Sequence, residues 1–192
     1  YEQAKGTDWY KGTANAIYQN ISFIDSYDPE YVIILSGDQI CKQDYADFLR
    51  FHKEKGAEFS VAVMEVDWKE ASRFGLMVAD EDDKITEFQE KPPVPKSNLA
   101  SMGIYIFNWD VLKKYLEEDE ADPNSKNDFG MNIIPALLRD GRKMYAYHFN
   151  GYWRDVGTID SLWEANMEVL DPENSGIDIF DLSLIHISEP TR

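Results

Sequence analysis

The sequence predicts an α/β domain with a mixed, mainly parallel sheet whose two faces are covered by helices. Segments with the pattern of strands alternate along the chain with segments of helical periodicity. The run at residues 31–35 is continuously apolar, which is typical of a strand covered on both faces of a parallel sheet. At 192 residues with 43% hydrophobic residues, the chain can bury one substantial core.

The first half of the chain predicts a helix followed by a βαβ unit. Residues 12–27 place Ala14, Ile17, Ile21 and Ile24 at the spacing of an amphipathic helix. The remaining predicted elements of this half are the apolar strand at 31–35, a helix at 44–55 and a strand at 59–66.

The second half continues the alternation of strands and helices. A hairpin is predicted from residues 76–79 and 84–90 around an acidic turn at 80–83. The further predictions are strands at 100–107, 144–149 and 152–156, and helices at 109–118, 128–139 and 158–170, the last with Thr158 as its N-cap.

Composition excludes several classes of function. A net charge of -17 disfavours nucleic acid and anionic membranes as partners, because both carry the same sign of charge. No apolar run approaches the roughly 20 residues that span a bilayer, and the single Cys41 can form no internal disulfide. We therefore expect a reducing, cytoplasmic setting.

The two ends of the chain resemble interruptions of a longer protein. Gly6, Trp9 and Gly12 occur within the first dozen residues, as in the middle of a domain. We expect residues 1–170 to be part of one domain and 171–182 to be a linker. Residues 183–192 resemble translated cloning sequence, and we interpret them as a non-native tail.

Two aspartates follow predicted strands and form a candidate metal site. Asp38 comes after Ser36 and Gly37, and Asp155 ends a short aromatic strand. Carboxylates at strand ends can offer oxygens to Mg²⁺, which takes few protein ligands. Each aspartate also has a structural interpretation, Asp38 as part of an ordinary turn and Asp155 as a helix-start residue.

Glu90, Lys91 and Ser101 are candidate binding residues on neighbouring elements. Pro92 ends the strand directly after Lys91, so that the lysine can be presented to a pocket. A solvated surface pair is the alternative for Glu90 and Lys91, and ordinary strand packing is the alternative for Ser101. Isolated histidines and the acidic runs at 80–83 and 117–120 are interpreted as core or surface rather than as metal sites.

Taken together, four motifs resemble the sugar-1-phosphate nucleotidyltransferases. They are Gly12-Thr13-Ala14, Leu35-Ser36-Gly37-Asp38, Phe88-Gln89-Glu90-Lys91-Pro92 and Trp153-Arg154-Asp155-Val156-Gly157. The motifs occur in the order of that family, and the resemblance covers residues 1–181. The residues Trp9-Tyr10-Lys11 before the first motif are similar to its adenylyltransferase branch.

The resemblance implies a fold and a set of residue roles. The expected fold is a Rossmann-like, GT-A-like three-layer sandwich, truncated at its N-terminus, with residues 1–170 as a partial catalytic domain. Asp38 and Asp155 would share the catalytic Mg²⁺. Lys91 would bind the sugar phosphate and Glu90 a sugar hydroxyl. The further implied residues are Gly75, Ser101 and Trp153 around the sugar, and Tyr10, Gly12, Thr13, Ala14 and Gly37 around the nucleotide.

The implied reaction transfers AMP from ATP to α-D-glucose 1-phosphate, giving ADP-glucose and pyrophosphate for glycogen synthesis. The complete enzyme is expected to be a homo- or hetero-tetramer. A glycine-rich N-terminal phosphate loop and a C-terminal β-helix are expected to lie outside this chain, which should be inactive alone. A uridylyl- or thymidylyltransferase and a non-catalytic regulatory subunit remain alternatives. A metal-dependent hydrolase is less supported, because no base is placed to activate water.

Overall fold

The computed structural model describes residues 9–177, which fall into two compact units. The first unit comprises residues up to Leu35 together with Ala46–Phe149. The second comprises Ser36–Tyr45 and the residues from Asn150 onward. The predicted tail at 183–192 and the predicted linker beyond residue 177 lie outside the described residues.

Strands and helices alternate in the described part of the chain. The strands are β1 (Tyr31–Ile34), β2 (Gln39–Cys41), β3 (Phe59–Glu65), β4 (Gly75–Ala79), β5 (Ile85–Glu90), β6 (Leu99–Asn108), β7 (Met144–His148) and β8 (Trp153–Asp155). The helices are α1 (Thr13–Tyr18), α2 (Ile21–Asp25), α3 (Tyr45–Glu54), α4 (Trp109–Ala121), α5 (Ile134–Arg139), α6 (Ile159–Glu168) and α7 (Pro172–Ser175). A π-helical turn, Phe129–Ile133, leads into α5.

The first unit is built on a six-stranded mixed sheet in the order β5-β4-β6-β3-β7, with β1 also on β6. Strand β3 runs along one edge of β6, pairing Phe59 with Phe107 at one end and Glu65 with Leu99 at the other. Strands β4 and β1 therefore share the opposite edge of β6, one at each end of this long strand.

The α/β class with a mixed sheet is confirmed, but parallel neighbours do not predominate among residues 9–177. Strands β3 and β7 pair in parallel, whereas β1, β3 and β4 all run antiparallel to β6. The expectation that residues 31–35 are covered on both faces of a parallel sheet is also wrong. Side chains of Ile33 and Leu35 are 40% and 49% exposed. Apolar runs indicate a strand, but they do not report the direction of its partner.

The βαβ order of β1, α3 and β3 is confirmed with one change. The two strands are parallel to each other, but β6 lies between them and pairs with both. The residues that separate β1 from β3 come from much later in the chain, so a local pattern could not reveal this insertion. The hairpin of β4 and β5 is confirmed, with Leu76 paired to Gln89.

Two predicted helices differ from the structure in their continuity. Residues 12–27 form α1 and α2, which are separated at Gln19 and Asn20. The Asn20 side chain donates to the Ala16 carbonyl at 2.8 Å, and such local bonds compete with helix continuation. Residues 128–139 begin with the π-helical turn before α5 starts at Ile134. The helices α3, α4 and α6 agree with prediction, and Thr158 caps α6 as expected.

The core of the first unit lies between its sheet and the helices α4 and α5. Strands β3 and β6 contribute the fully buried Phe59, Val61 and Phe107, and α4 adds the fully buried Leu112. The rings of Phe59 and Phe107 lie 4.7 Å apart. Burying each of these side chains contributes about 1.5–3 kcal/mol, so this packing holds β6 and its polar residues in place.

The second unit contains a two-stranded antiparallel ladder followed by two helices. Strand β2 pairs with β8, with Ile40 opposite Arg154 and Cys41 opposite Trp153. Helix α6 follows β8 after a short turn. Its N-cap Thr158 accepts through Oγ1 from the Ser161 amide at 3.2 Å. In return, the Thr158 amide donates to Ser161 Oγ at 3.2 Å.

Candidate active site

Asp38 and Asp155 are brought together in the second unit by the ladder of β2 and β8. Gln39, the residue after Asp38, pairs with Asp155. The Val156 amide donates to the Asp38 carbonyl at 2.9 Å, which extends the pairing by one step. Both aspartates are exposed, and Ser36 donates its hydroxyl to Asp38 Oδ1. The ladder therefore presents both carboxylates at one end.

Gly157 lies beside both carboxylates and contributes no side chain to the space that they border. A Cβ atom at this position would lie 3.4 Å from Asp155 Oδ1 and 3.9 Å from Asp38 Oδ2. The Gly157 amide donates to Asp155 Oδ1 at 3.2 Å and orients that carboxylate. Two carboxylates facing a space without a side chain are a donor set that fits Mg²⁺.

Other acidic and histidine residues are used structurally. Asp80 Oδ1 accepts from the amides of Asp82 and Lys84 at 3.0 and 2.9 Å, so the acidic run at 80–83 closes the hairpin. His52 is buried, as the interpretation of isolated histidines expected. No group of three or more potential metal ligands occurs within residues 9–177.

Trp153 and Gly37 lie in the same unit as the two aspartates. Trp153 is half-buried on β8, two residues before Asp155. Gly37 is exposed, and a Cβ atom there would meet no atom within 4 Å. Space alone therefore does not demand a glycine at residue 37, and its assignment to the nucleotide stays a prediction.

In the first unit, the Glu90 carboxylate lies between two glycines. Gly75 pairs with Glu90 across β4 and β5. A Cβ atom on Gly75 would lie 3.0 Å from Glu90 Oε2, and one on Gly130 would lie 2.8 Å from the same oxygen. The glycine at residue 75 therefore leaves room for Glu90, and the role of Gly75 at the sugar stays a prediction.

The surroundings of Glu90 raise the pKa of its carboxyl. Partial burial raises the pKa of the Glu90 carboxyl, the positive charge of Lys91 opposes this rise, and the negative charge of Asp128 adds to it. A carboxylate that has lost part of its water shell gains more from a sugar hydroxyl donated to it than an exposed one does.

Lys91 directly follows β5 and has a strained backbone conformation. Its φ is 43°, a left-handed value that is uncommon for residues other than glycine. The Lys91 amide still donates to the Phe74 carbonyl at 3.2 Å, and Pro92 behind it is buried. The ammonium group is exposed, and within residues 9–177 it makes no ion pair. Strain of this kind often marks a functional position.

Ser101 and Tyr105 lie on β6 near the charges of the Glu90 site. The register between β3 and β6 shifts opposite this stretch, where Gly103 has a φ of 68° and donates its amide to Ser101 Oγ at 3.2 Å. The Tyr105 hydroxyl hydrogen-bonds Ser101. Burial raises the pKa of Tyr105 to about 12, with further contributions from Glu90 and Asp128. Tyr105 is therefore a neutral hydroxyl at pH 7.

Asp128 joins this site from the turn before α5. Its Oδ1 accepts from the Met131 amide at 2.9 Å, and its Oδ2 accepts from the Thr13 hydroxyl at 2.9 Å. A Cβ atom on Gly130 would lie 3.4 Å from Asp128 Oδ1 as well as close to Glu90. Asp128 thus connects the Glu90 carboxylate with the segment that begins α1.

The segment Gly12-Thr13-Ala14 packs against the loop that precedes Phe129. A Cβ atom on Gly12 would lie only 2.4 Å from the Asn127 carbonyl oxygen. The Ala14 amide donates to that carbonyl at 2.8 Å, and the Phe129 amide donates to Thr13 Oγ1 at 3.1 Å. Small residues do permit a close backbone approach here, with the loop as the described partner. The nucleotide roles of these residues and of the half-exposed Tyr10 stay predictions.

Sequence reasoning missed Asp128, Gly130 and Tyr105. Asp128 was interpreted only as the start of a predicted helix, and Tyr105 only as part of a strand. The single available signal was alternation on β6, which places Ser101, Gly103 and Tyr105 on one set of positions.

None of the described helices is long and apolar enough to cross a membrane.

Comparison with known proteins defines the class to which this chain belongs. The model of the nucleotidyl transferase family matches residues 2–172, and the chain is a member of that family.

Curated relatives within this class carry a more particular name, glucose-1-phosphate adenylyltransferase. The chain is 66% identical over 181 residues to the protein of that name from Clostridium beijerinckii, covering 94% of this chain and 47% of the relative. The Clostridium perfringens SM101 protein is 61% identical over 193 residues, covering 100% and 50%. The Geobacillus stearothermophilus protein is 57% identical over 183 residues, covering 95% and 47%. The chain thus spans about half the length of these relatives.

Proposed function

We propose that the protein transfers AMP from ATP to α-D-glucose 1-phosphate, forming ADP-glucose and pyrophosphate. The observation that carries nucleotidyl transfer is the convergence of Asp38 and Asp155 on the space beside Gly157. The choice of adenylate and glucose 1-phosphate follows from the name shared by relatives that are 57–66% identical. ADP-glucose would serve as a glucosyl donor for glycogen synthesis.

Asp38 and Asp155 would hold Mg²⁺, which, when bound, neutralises charge on the nucleotide phosphates. The two carboxylates supply only oxygen donors and leave most of the coordination sphere to water and phosphate. The glycine at residue 157 leaves the space beside the two carboxylates without a side chain.

Glu90, Ser101 and Lys91 are assigned to the acceptor sugar phosphate. Glu90 accepts a hydrogen bond from a sugar hydroxyl, and the neutral Tyr105 hydroxyl, which hydrogen-bonds Ser101, lies close enough to feel the Glu90 charge. The exposed Lys91 ammonium pairs with the phosphate. Trp153 is assigned to a wall of the sugar pocket, and Tyr10, Thr13 and Ala14 to the nucleotide, on the resemblance.

The reaction needs no covalent intermediate on the protein. An oxygen of the sugar phosphate forms a bond to the α-phosphorus of ATP as the bond from that phosphorus to the bridging oxygen breaks. Pyrophosphate leaves with the electron pair, and no proton has to be added or removed. The protein therefore contributes positioning of the two substrates and stabilisation of charge. Mg²⁺, a tetrameric assembly and a cytoplasmic location belong to this proposal as well.

The test compares nucleotides in the full-length protein. With Mg²⁺ and glucose 1-phosphate, pyrophosphate release should be fastest with ATP and much slower with UTP or dTTP. A preference for UTP or dTTP would replace the adenylyl assignment with the uridylyl or thymidylyl one. Binding of glucose 1-phosphate without turnover of any nucleotide would indicate a regulatory subunit and contradict the proposal.

A further inference from the structure

The ladder that carries Asp155 is too short to fix a metal ligand by itself. Strands β2 and β8 have three paired positions, from Gln39 opposite Asp155 to Cys41 opposite Trp153. Isolated two-stranded ladders are marginally stable in water, and three pairs are fewer than usual. Additional contacts must therefore hold β8 if Asp155 is to keep its place beside Gly157.

Those contacts come from Arg154, the central residue of β8. Its guanidinium is bidentate on Glu168, with Nε donating to Oε2 at 2.9 Å and Nη2 donating to Oε1. The Tyr152 hydroxyl donates to the same Oε2 at 2.7 Å. Strand alternation places the Arg154 side chain on the face opposite to that of Asp155, so the contact does not occupy the carboxylate space.

Glu168 is the last residue of α6. From this position the end of the helix contacts the strand that carries the metal ligand Asp155. The chain leaves β8 at Asp155, turns at Gly157 and starts α6 at a capped N-terminus. At its other end, the helix returns to β8 through Glu168. The turn that carries Asp155 is consequently held at both ends, by the cap of Thr158 and by the ion pair of Arg154.

We propose that the ion pair between Arg154 and Glu168, joined by Tyr152, is a positioning device that holds Asp155 in place for the cation it shares with Asp38. This inference rests on the proposed function. It assigns Arg154 and Glu168 no contact with substrate or with the reacting atoms. The bidentate geometry matters here, because it fixes direction as well as distance between strand and helix.

Glu164 provides a matched control on the same helix. It lies one turn before Glu168, and its Oε2 is 3.8 Å from Arg154 Nη1, beyond hydrogen-bond distance. Glu164→Gln removes the same charge from the same helix while leaving the bidentate pair intact. Any effect of Glu168→Gln that is absent from Glu164→Gln therefore reports the hydrogen-bonded geometry rather than the net charge.

The experiment measures Mn²⁺ binding by electron paramagnetic resonance in the full-length protein. Glu168→Gln should weaken Mn²⁺ binding by roughly tenfold, the usual scale for a group that orients a metal ligand. The Mg²⁺ concentration for half-maximal activity should rise by a similar factor. Glu164→Gln should match the wild type in both, and the exchanged pair Arg154→Glu with Glu168→Arg should recover part of the loss.

Unchanged Mn²⁺ affinity in Glu168→Gln would overturn the inference. This holds even if the melting temperature of the variant falls, because the ion pair would then have only a structural role. Equal losses in Glu164→Gln and Glu168→Gln would overturn it too, since net charge would explain both. The proposed function has its own readout: wild-type protein that binds Mn²⁺ but does not turn over ATP with glucose 1-phosphate would contradict that proposal and not the positioning of Asp155.

Discussion

At the scale of single residues, Glu90 shows how the site depends on what neighbouring positions lack. Gly75 and Gly130 approach the same carboxylate oxygen from two elements that are distant in sequence. Because neither glycine has a side chain, Glu90 keeps a position where its charge acts on Tyr105 and is itself affected by Asp128. The position of Glu90 therefore depends on the absence of side chains at residues 75 and 130 as well as on the polar residues nearby.

Gly130→Ala should weaken sugar-phosphate binding without unfolding the protein. The new methyl group would lie 2.8 Å from Glu90 Oε2, the end of a flexible side chain that can move away. Displacing this carboxylate should raise KM for glucose 1-phosphate by about tenfold, the value of one lost hydrogen bond to a charged group. Steady-state kinetics should show KM for ATP within twofold of the wild type. A rise confined to ATP would contradict the assignment of Glu90.

Lys91→Ala should act on the same substrate through charge. Loss of a charge-assisted contact with phosphate should raise KM for glucose 1-phosphate by roughly 10- to 100-fold and leave KM for ATP nearly unchanged. Lys96→Ala is a suitable control, because Lys96 is exposed nearby in sequence and pairs with Glu87 at 2.6 Å. Equal changes for both substrates, or equal effects of the two variants, would refute the role of Lys91.

Single residues also show what the sequence could and could not predict about the site. Asp155 and Glu90 are the last residues of β8 and β5, where chemistry-bearing side chains are expected, and such strand patterns are legible in sequence. Asp38 differs from prediction, because β1 ends at Ile34 and Asp38 directly precedes β2, a short strand that the sequence did not predict. Asp128 and Gly130 come from a π-helical turn with no periodic signal. Their proximity to Glu90 depends on packing between segments about forty residues apart, which local patterns do not encode.

At the scale of elements, α1 is held against the loop before Phe129 by backbone contact. Gly12→Ala differs from Gly130→Ala in what the new methyl group meets, because it would lie 2.4 Å from the Asn127 carbonyl oxygen. Backbone cannot swing aside as a side-chain end can. We expect a loss of about 1–3 kcal/mol in the free energy of unfolding, measured by urea denaturation. Stability equal to that of Gly130→Ala would show that the loop yields freely.

Helix α3 is tied to the sheet through the buried His52. Its Nδ1 lies 2.8 Å from Ser60 Oγ on β3, and its Nε2 lies 2.9 Å from Asn108 Oδ1 at the end of β6. The Tyr31 ring of β1 packs edge-on against the imidazole, and Lys53 adds a nearby positive charge. Burial is the main cause that lowers the pKa of His52 below its usual value of 6.5.

The lowered pKa of His52 predicts a direction for stability against pH. The unfolded chain binds the proton more readily than the folded one, so the contribution is fully present above pH 6.5 and is lost as the pH falls through the folded pKa. Urea denaturation from pH 8 to pH 5 should show the advantage of wild type over His52→Gln shrinking. The exposed His148 gives the control variant, His148→Gln. Its free energy of unfolding should change with pH as that of the wild type does. A pH-independent difference would contradict the account.

Elements also mark the limit of prediction for the fold. The hairpin of β4 and β5 follows from a local turn, and α4 and α6 follow from their periodicity and caps. The direction of β1 could not be predicted in this way, because its partner β6 begins at Leu99. An apolar run indicates a strand, whereas its burial and its pairing direction depend on topology.

At the scale of the whole molecule, charge sets a requirement that the site has to meet. The chain carries a net charge of -17, and both proposed substrates are anions. Binding therefore depends on local cations that overcome the general repulsion. In the proposed function, Lys91 would be such a cation in the first unit, and Asp38 and Asp155 would supply the second by holding Mg²⁺.

A double-mutant cycle on Asp38 and Asp155 tests most directly whether the two aspartates share one metal ion. In the full-length protein, ADP-glucose formation from ATP and glucose 1-phosphate is measured for Asp38→Asn, Asp155→Asn and the double variant across a range of Mg²⁺ concentrations. If both residues hold one cation, each single change should lower kcat on the order of a hundredfold or more, and the double change should cost little beyond either one. Losses that multiply, or single variants with wild-type Mg²⁺ dependence, would contradict a shared metal site.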